Sequence, residues 1–173
     1  MEKGISVAVA ADIPQIVRLL NSAYRGEGSK TGWSTEADLL DGSIRTDEAN
    51  VRSLMLKEHA VFLKYTESDG SLQGCVYLDN REGSLYLGML SVNPQLQAKG
   101  IGKQLLAAAE QHARLQQCSS VFMQVINART ELMDWYIRHG YQRTGEVFPF
   151  NGDHRFGAPN RPLFFEILEK RLS

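Results

Sequence analysis

Apolar and polar residues alternate from Ile5 to Val9, which predicts a strand, and the period then changes. Ile13, Ile16, Val17 and Leu20 fall on one helical face, which predicts a helix over Ile13–Tyr24. Asp12 stands at its N-cap, Pro14 is tolerated in the first turn and Gln15 completes a capping box. Gly26–Trp33 is polar and glycine-rich and reads as a loop. Ser34 or Thr35 can cap a short helix through about Asp41, and Asn50–Glu58 reads as another. Ala60–Tyr65, Leu72–Asn80 and Leu85–Val92 form a three-strand meander, with turns at Ser68–Ser71 and Asn80–Gly83.

Lys103–Gln117 follows as a helix whose Leu105, Leu106, Ala109 and Ala113 form one apolar stripe. Ser119–Ile126 is a strand, Glu131–Arg138 a helix, and Gly140–Thr144 opens a further strand. Leu163–Leu168 supplies the last strand, and Phe148–Pro162 is too rich in Gly, Pro, Asn and Asp for a regular element. The unit from Leu85 through Ile126 is expected to be a right-handed crossover with parallel pairing. The fold class is therefore α/β, with a mixed sheet and helices on both faces.

Between the third meander strand and its helix lies Gln97-Ala98-Lys99-Gly100-Ile101-Gly102-Lys103. Glycines let backbone approach a ligand closely, and the first amides of a helix lack internal partners. The helix dipole adds positive potential, so this turn suits an anion such as a phosphate. A Walker loop is excluded, because Gln97 stands where its first glycine belongs and Gln104 replaces Ser/Thr. A dinucleotide fingerprint is excluded too, because its third glycine would fall at Leu105.

What remains is Gln-x-x-Gly-x-Gly after a strand ending in Val92-Asn93-Pro94. This resembles the pyrophosphate loop of the GNAT superfamily of acyl-CoA-dependent N-acetyltransferases. The resemblance is sharpest from Leu85 to Tyr141. It implies a mostly antiparallel sheet with one parallel strand pair splayed at the cofactor site. It implies acetyl-CoA as cosubstrate, its pantetheine arm lying between the splayed strands. Leu90, Ser91 and Val92 would contact the arm through backbone, with a Leu90 amide near the oxyanion. Residues Gln97, Ala98, Lys99, Gly100, Ile101, Gly102 and Lys103 would hold the pyrophosphate.

Asn127-x-x-Thr130…Trp135-Tyr136-Ile137-Arg138-His139-Gly140-Tyr141 is similar to the family's Asn…Phe-Tyr-x-x-x-Gly-Phe segment. By that resemblance Tyr136 is the general acid for the departing thiolate, and Asn127 contacts the cofactor arm. A phenol with an ordinary pKa near ~10 is protonated at neutral pH and can serve as an acid. Many relatives carry Glu where this chain has Gly88, so the resemblance supplies no base. By the resemblance, Trp33 and Glu36, which follow the first helix, and Arg155, in the loop before the last strand, would build the acceptor wall. They suit a small molecule or peptide bearing a primary amine.

The chain has 173 residues, 43% of them hydrophobic, which bounds the expectation at one domain over 1–173 with its own core. Its net charge of −1 and lack of a basic stripe speak against nucleic acid. No apolar run approaches ~18 residues and no signal-peptide core opens the chain, so a cytoplasmic protein without a membrane partner is expected. Cys75 and Cys118 have no CxxC spacing and the four histidines are scattered, so no metal is expected. The favoured function is acetyl transfer to an amine by direct attack in a ternary complex. The other reading is a non-catalytic acyl-CoA-binding or sensing module. A homodimer is left open.

Overall fold

The computed structural model describes residues 4–24, 40–41, 46–149, 158–159 and 163–173. Its strands are β1 (Gly4–Val7), β2 (Leu40–Asp41), β3 (Ala60–Thr66), β4 (Leu72–Arg81), β5 (Ser84–Val92), β6 (Ser120–Ile126), β7 (Gln142–Pro149), β8 (Ala158–Pro159) and β9 (Phe164–Arg171). Among the described residues four α-helices accompany them: α1 (Ile13–Tyr24), α2 (Glu48–Met55), α3 (Ile101–Leu115) and α4 (Thr130–Arg138). Seven strands form one sheet in the order β1-β3-β4-β5-β6-β9-β7. Every neighbouring pair is antiparallel except β5 and β6, which are parallel and joined through α3. The mixed α/β sheet expected from the sequence is therefore present.

Helices cover both faces because each presents one apolar stripe. On one face Leu105, Leu106, Ala109 and Ala113 of α3 pack with Leu85, Leu87, Val121 and Met123. Leu132, Met133 and Tyr136 of α4 join the same cluster. On the other face Ile13, Ile16 and Leu20 of α1 and Val51 of α2 pack with Phe62, Cys75 and Tyr77. Among the described residues, no helix is long and apolar enough to cross a membrane.

Several local expectations change. Asp12 does not cap α1; it ends a 3-10 turn over Ala10–Asp12, and its Oδ2 accepts from Val9 N at 2.8 Å. The same carboxylate takes Lys64 Nζ at 2.8 Å, and Gln15 accepts instead from Leu72 N at 3.4 Å. A cation from β3 thus recruits the carboxylate that local sequence assigned to the helix. The second helix begins at Glu48 because Asp47 caps it, accepting from Asn50 N at 2.8 Å.

Leu40 and Asp41 belong to β2, paired with Pro159 and Ala158, so the helix expected through Asp41 does not extend there. The rest of that helix lies outside the described residues. Phe148 and Pro149, expected in a loop, continue β7 because β9 offers them Phe165 and Phe164 as partners.

Candidate functional site

The parallel pair is short. Its register runs Ser84 with Ser120, Leu85 with Val121 and Tyr86 with Phe122, and ends there. Beyond it β5 continues to Val92 along β4, while β6 continues to Ile126 along β9. The two strands follow different partners and diverge, leaving a wedge between them.

A bulge in β5 lies within the diverging stretch. Tyr77 pairs with Gly88 and Cys75 with Ser91, so Val76 alone faces both Met89 and Leu90. The extra residue is accommodated by Met89 at φ 54°. That left-handed conformation is uncommon outside Gly, Asn and Asp, and costs about 1–3 kcal/mol. Bulges bend a strand and redirect its backbone. Here the bend falls one residue before Leu90, which with Ser91 and Val92 is buried on the stretch beyond the parallel register.

Past Val92 the chain turns sharply. Asn93 caps a 3-10 turn over Pro94–Lys99, accepting from Gln95 N at 3.0 Å, while its Nδ2 donates to Gln73 Oε1 at 2.8 Å. Pro94 sits at the start of that turn, where its missing N–H costs nothing. The backbone of Gln97 and Ala98 lies within the turn, and Lys99 ends it.

Gly100 has φ 80° and ψ 8° and is the N-cap of α3. A Cβ there would meet no atom within 4 Å, so its backbone conformation, not crowding, is what favours glycine. The first intrahelical bond runs from Gln104 N to Gly100 O at 3.1 Å. The amides of Ile101, Gly102 and Lys103 therefore precede the helical ladder and lie at the positive end of the dipole. Lys99 and Lys103 are exposed. Lys99 also borders a cleft of about 310 Å³ lined by Glu67, Tyr65 and Gln104, on the β3 side of α3.

Tyr136 lies on α4, only 4% exposed, in the apolar cluster that also holds Leu90, Val92 and Val125 from the two diverging strands. Its ring meets Trp135 edge-on at 5.2 Å and Tyr141 at 5.8 Å. Tyr141 is anchored in turn: its hydroxyl donates to Glu110 Oε2 at 3.2 Å, and Lys170 Nζ lies 2.8 Å from Glu110 Oε1. Burial first, then the Glu110 charge and hydrogen bond, push the Tyr141 hydroxyl upward, so it stays protonated. Asn127, just past β6, accepts from Phe164 N through Oδ1 at 3.3 Å, and its own N donates to Phe164 O at 2.8 Å. It thereby prolongs the β6–β9 ladder.

Trp33, Glu36 and Arg155 lie outside the described residues. The pairing of β2 with β8 joins the connection after α1 to the one between β7 and β9. Sequence reasoning missed the bulge, because nothing about Met89 announces a left-handed backbone. It also missed Glu110, whose partners Tyr141 and Lys170 are distant in sequence. Asn93 carried a readable signal, an Asn-Pro pair after a strand. Among the described residues no group of three or more His, Cys, Asp or Glu could hold a metal ion.

The comparisons agree with this geometry. The acetyltransferase (GNAT) domain matches residues 35–154. The spermine/spermidine N(1)-acetyltransferase of Bacillus subtilis (strain 168) is 33% identical over 76 residues, 43% of this chain. That match spans about half (49%) of the relative's length. The ribosomal-protein-S18-alanine N-acetyltransferase of Escherichia coli superposes with a TM-score of 0.73 at 13% identity, covering 99% of this chain and 95% of that one. The PaiA N-acetyltransferase of Thermoplasma acidophilum, solved with coenzyme A, gives a TM-score of 0.69 at 16% identity, covering 99% of this chain and 100% of that one. A domain match over most of the chain, on a sheet whose diverging strand β5 leads into the glycine turn, establishes that the chain belongs to the GNAT acetyltransferase family.

Proposed function

We propose that the protein is a single-domain N-acetyltransferase that moves the acetyl group of acetyl-CoA to a primary amine of a small molecule or peptide. The observation that carries this reading is the β5–β6 wedge ending on the Gly100 turn and the first amides of α3. A pantetheine arm carries amide groups, which suit a strand backbone; a diphosphate suits helix-start amides. The backbone of Leu90, Ser91 and Val92 would take the arm, and residues 97–103 the pyrophosphate. The adenosine end of the cosubstrate would then extend past Lys99 and Lys103.

Three chemical needs follow from thioester aminolysis. The amine must arrive neutral, the oxyanion must be held, and the departing thiolate benefits from a proton. A Leu90 amide, redirected by the Met89 bulge, suits the oxyanion; loss of such a donor costs about 3–4 kcal/mol of barrier elsewhere. Tyr136 is the proposed acid, from a phenol held between Trp135 and Tyr141. Direct attack in a ternary complex is favoured over an acyl-enzyme, because Cys75 is fully buried and burial pushes its thiol up to about 12.

The relative named for spermine and spermidine makes polyamines the first acceptors to try. Isothermal calorimetry with CoA, followed by thiol release from acetyl-CoA with polyamines, amino acids, aminoglycosides and peptides, tests the assignment. CoA binding with amine-dependent thiol release supports it. CoA binding without release for any amine supports the sensing-module reading instead. No CoA heat overturns both. Tyr136→Phe should then lower turnover while keeping CoA affinity; unchanged turnover removes its acid role.

A further inference from the structure

The turn before the glycine loop is tied to β4 by a run of side-chain hydrogen bonds. Asn93 Oδ1 accepts from Gln95 N at 3.0 Å, and Asn93 Nδ2 donates to Gln73 Oε1 at 2.8 Å. Gln73 Nε2 donates to Ser71 Oγ at 2.9 Å, and that hydroxyl donates to Asp69 Oδ1 at 2.7 Å. Asp69 Oδ1 also accepts from Ser71 N at 2.9 Å. The run thus connects the turn between β3 and β4 to the chain entering Pro94–Lys99.

The two ends fix the direction of every bond between them. A backbone N–H can only donate, so Gln95 N holds the Asn93 amide by its oxygen. Asn93 Nδ2 then faces Gln73, which must present oxygen, and this leaves Gln73 Nε2 for Ser71. An ionised carboxylate only accepts, so the Ser71 hydroxyl points its proton at Asp69. The Ser71 hydroxyl, then its amide, hold the Asp69 carboxyl below its ordinary value, which keeps that end ionised. A side chain at position 73 without both a donor and an acceptor breaks the run.

Gln73 holds the same turn through its backbone, because its carbonyl accepts from Asn93 N at 2.8 Å. Asn93 O accepts in turn from Leu96 N at 2.8 Å, inside the 3-10 turn. The next residue on β4 seats the other end of the loop. A Cβ on Gly74 would lie 3.0 Å from Leu105 Cδ1 and 3.1 Å from Ile101 Cγ2. With only hydrogen there, Ile101, the first residue of α3, packs closely against β4. Consecutive β4 residues therefore set both the entry to the loop and the start of its helix.

Building on the acetyltransferase reading above, with the pyrophosphate at residues 97–103, we propose that Gln73 is a positioning residue for that loop. It acts through Asn93, holding the turn against the start of α3 so that the amides of Ile101, Gly102 and Lys103 converge on one diphosphate. Without the Gln73 acceptor, Asn93 loses the partner that orients it, and Gln95 N loses a fixed cap. The ligand must then order the loop itself, at a cost in affinity. The effect is confined to donors that carry a diphosphate.

The test uses the full chain and calorimetry with CoA. Gln73→Met keeps the length of the side chain and removes both hydrogen-bonding groups. It should weaken CoA about tenfold, and so should Asn93→Ala. The double variant should fall within about twofold of Asn93→Ala, because both changes remove one link. An additive double variant, about 100-fold weaker than the parent, overturns action through Asn93. Thiol release with the fastest amine of the panel above supplies a second readout. Selectivity for acetyl-CoA over S-acetylpantetheine, which lacks the diphosphate, should fall about tenfold in Gln73→Met. Equal losses with both donors reveal a general structural effect and overturn the proposal. Parental CoA affinity in Gln73→Met also overturns it, while CoA heat in the parent leaves the acetyltransferase reading standing. Gln73→Ala, read the same way, replaces Gln73→Met if that variant does not fold. A parent chain without CoA heat overturns the acetyltransferase reading, and this proposal with it.

Discussion

Glu110 offers the sharpest energetic test, because one carboxylate serves three elements. It lies on α3 with its side chain 11% exposed; Lys170 on β9 is 29% exposed. Oε1 holds Lys170 Nζ at 2.8 Å, and Oε2 accepts from the hydroxyl of Tyr141, a residue 1% exposed. Lys170 Nζ also donates to His139 O at 3.2 Å, closing the end of α4. Glu110→Ala strands the Tyr141 hydroxyl, worth about 1–3 kcal/mol for a buried donor left unsatisfied. Lys170 loses its counter-ion but can turn toward water, so about 1 kcal/mol is expected there. The total is about 3 kcal/mol, or a melting-point drop of about 6–12 °C for a chain of this size.

Glu110→Gln keeps an oxygen acceptor and should cost only about 1–1.5 kcal/mol. Urea unfolding of the parent, Glu110→Ala, Tyr141→Phe and the double variant forms a thermodynamic cycle. With no acceptor left in Glu110→Ala, removing the hydroxyl should relieve strain, giving a coupling of at least ~1 kcal/mol. An additive cycle, or a Glu110→Ala cost below ~1 kcal/mol, would refute the idea that this carboxylate braces the α4 end.

Two further outcomes follow from named geometry. Gly100→Ala should destabilise by about 1–2 kcal/mol through φ 80° alone, since its Cβ meets nothing within 4 Å. If the first α3 amides hold a diphosphate, the same change should weaken CoA at least fivefold by calorimetry; equal affinity and stability would argue against it. The second concerns alkaline pH. Burial raises the Cys75 thiol from 9.0 to about 12 in the folded chain. The unfolded thiol loses its proton first as pH rises past about 9, so the unfolded state then binds fewer protons and stability falls. The contribution is complete below pH ~9 and is lost as pH approaches about 12, on the order of 4 kcal/mol in all. Tyr141, also raised, adds to the fall above pH ~10. Urea midpoints between pH 8 and 11 should decline more steeply in the parent than in Cys75→Ala, and parallel slopes would contradict the cause.

The sequence by itself determined what depends on near neighbours along the chain. The stripe Ile13, Ile16 and Leu20 defines α1, and the α3 stripe is likewise periodic and fully buried, because both reflect a fixed helical repeat. The glycine turn was legible for the same reason: strand, turn and helix start are consecutive. Tertiary structure decided the rest. Asp12 leaves its expected cap because Lys64 arrives from another strand, and Phe148 becomes strand because Phe165 pairs with it. The Met89 bulge arises from a mismatch between β4 and β5, a relation between two strands that neither sequence states alone. Local periodicity places elements; only packing brings residues from different elements into the contacts on which a site is built.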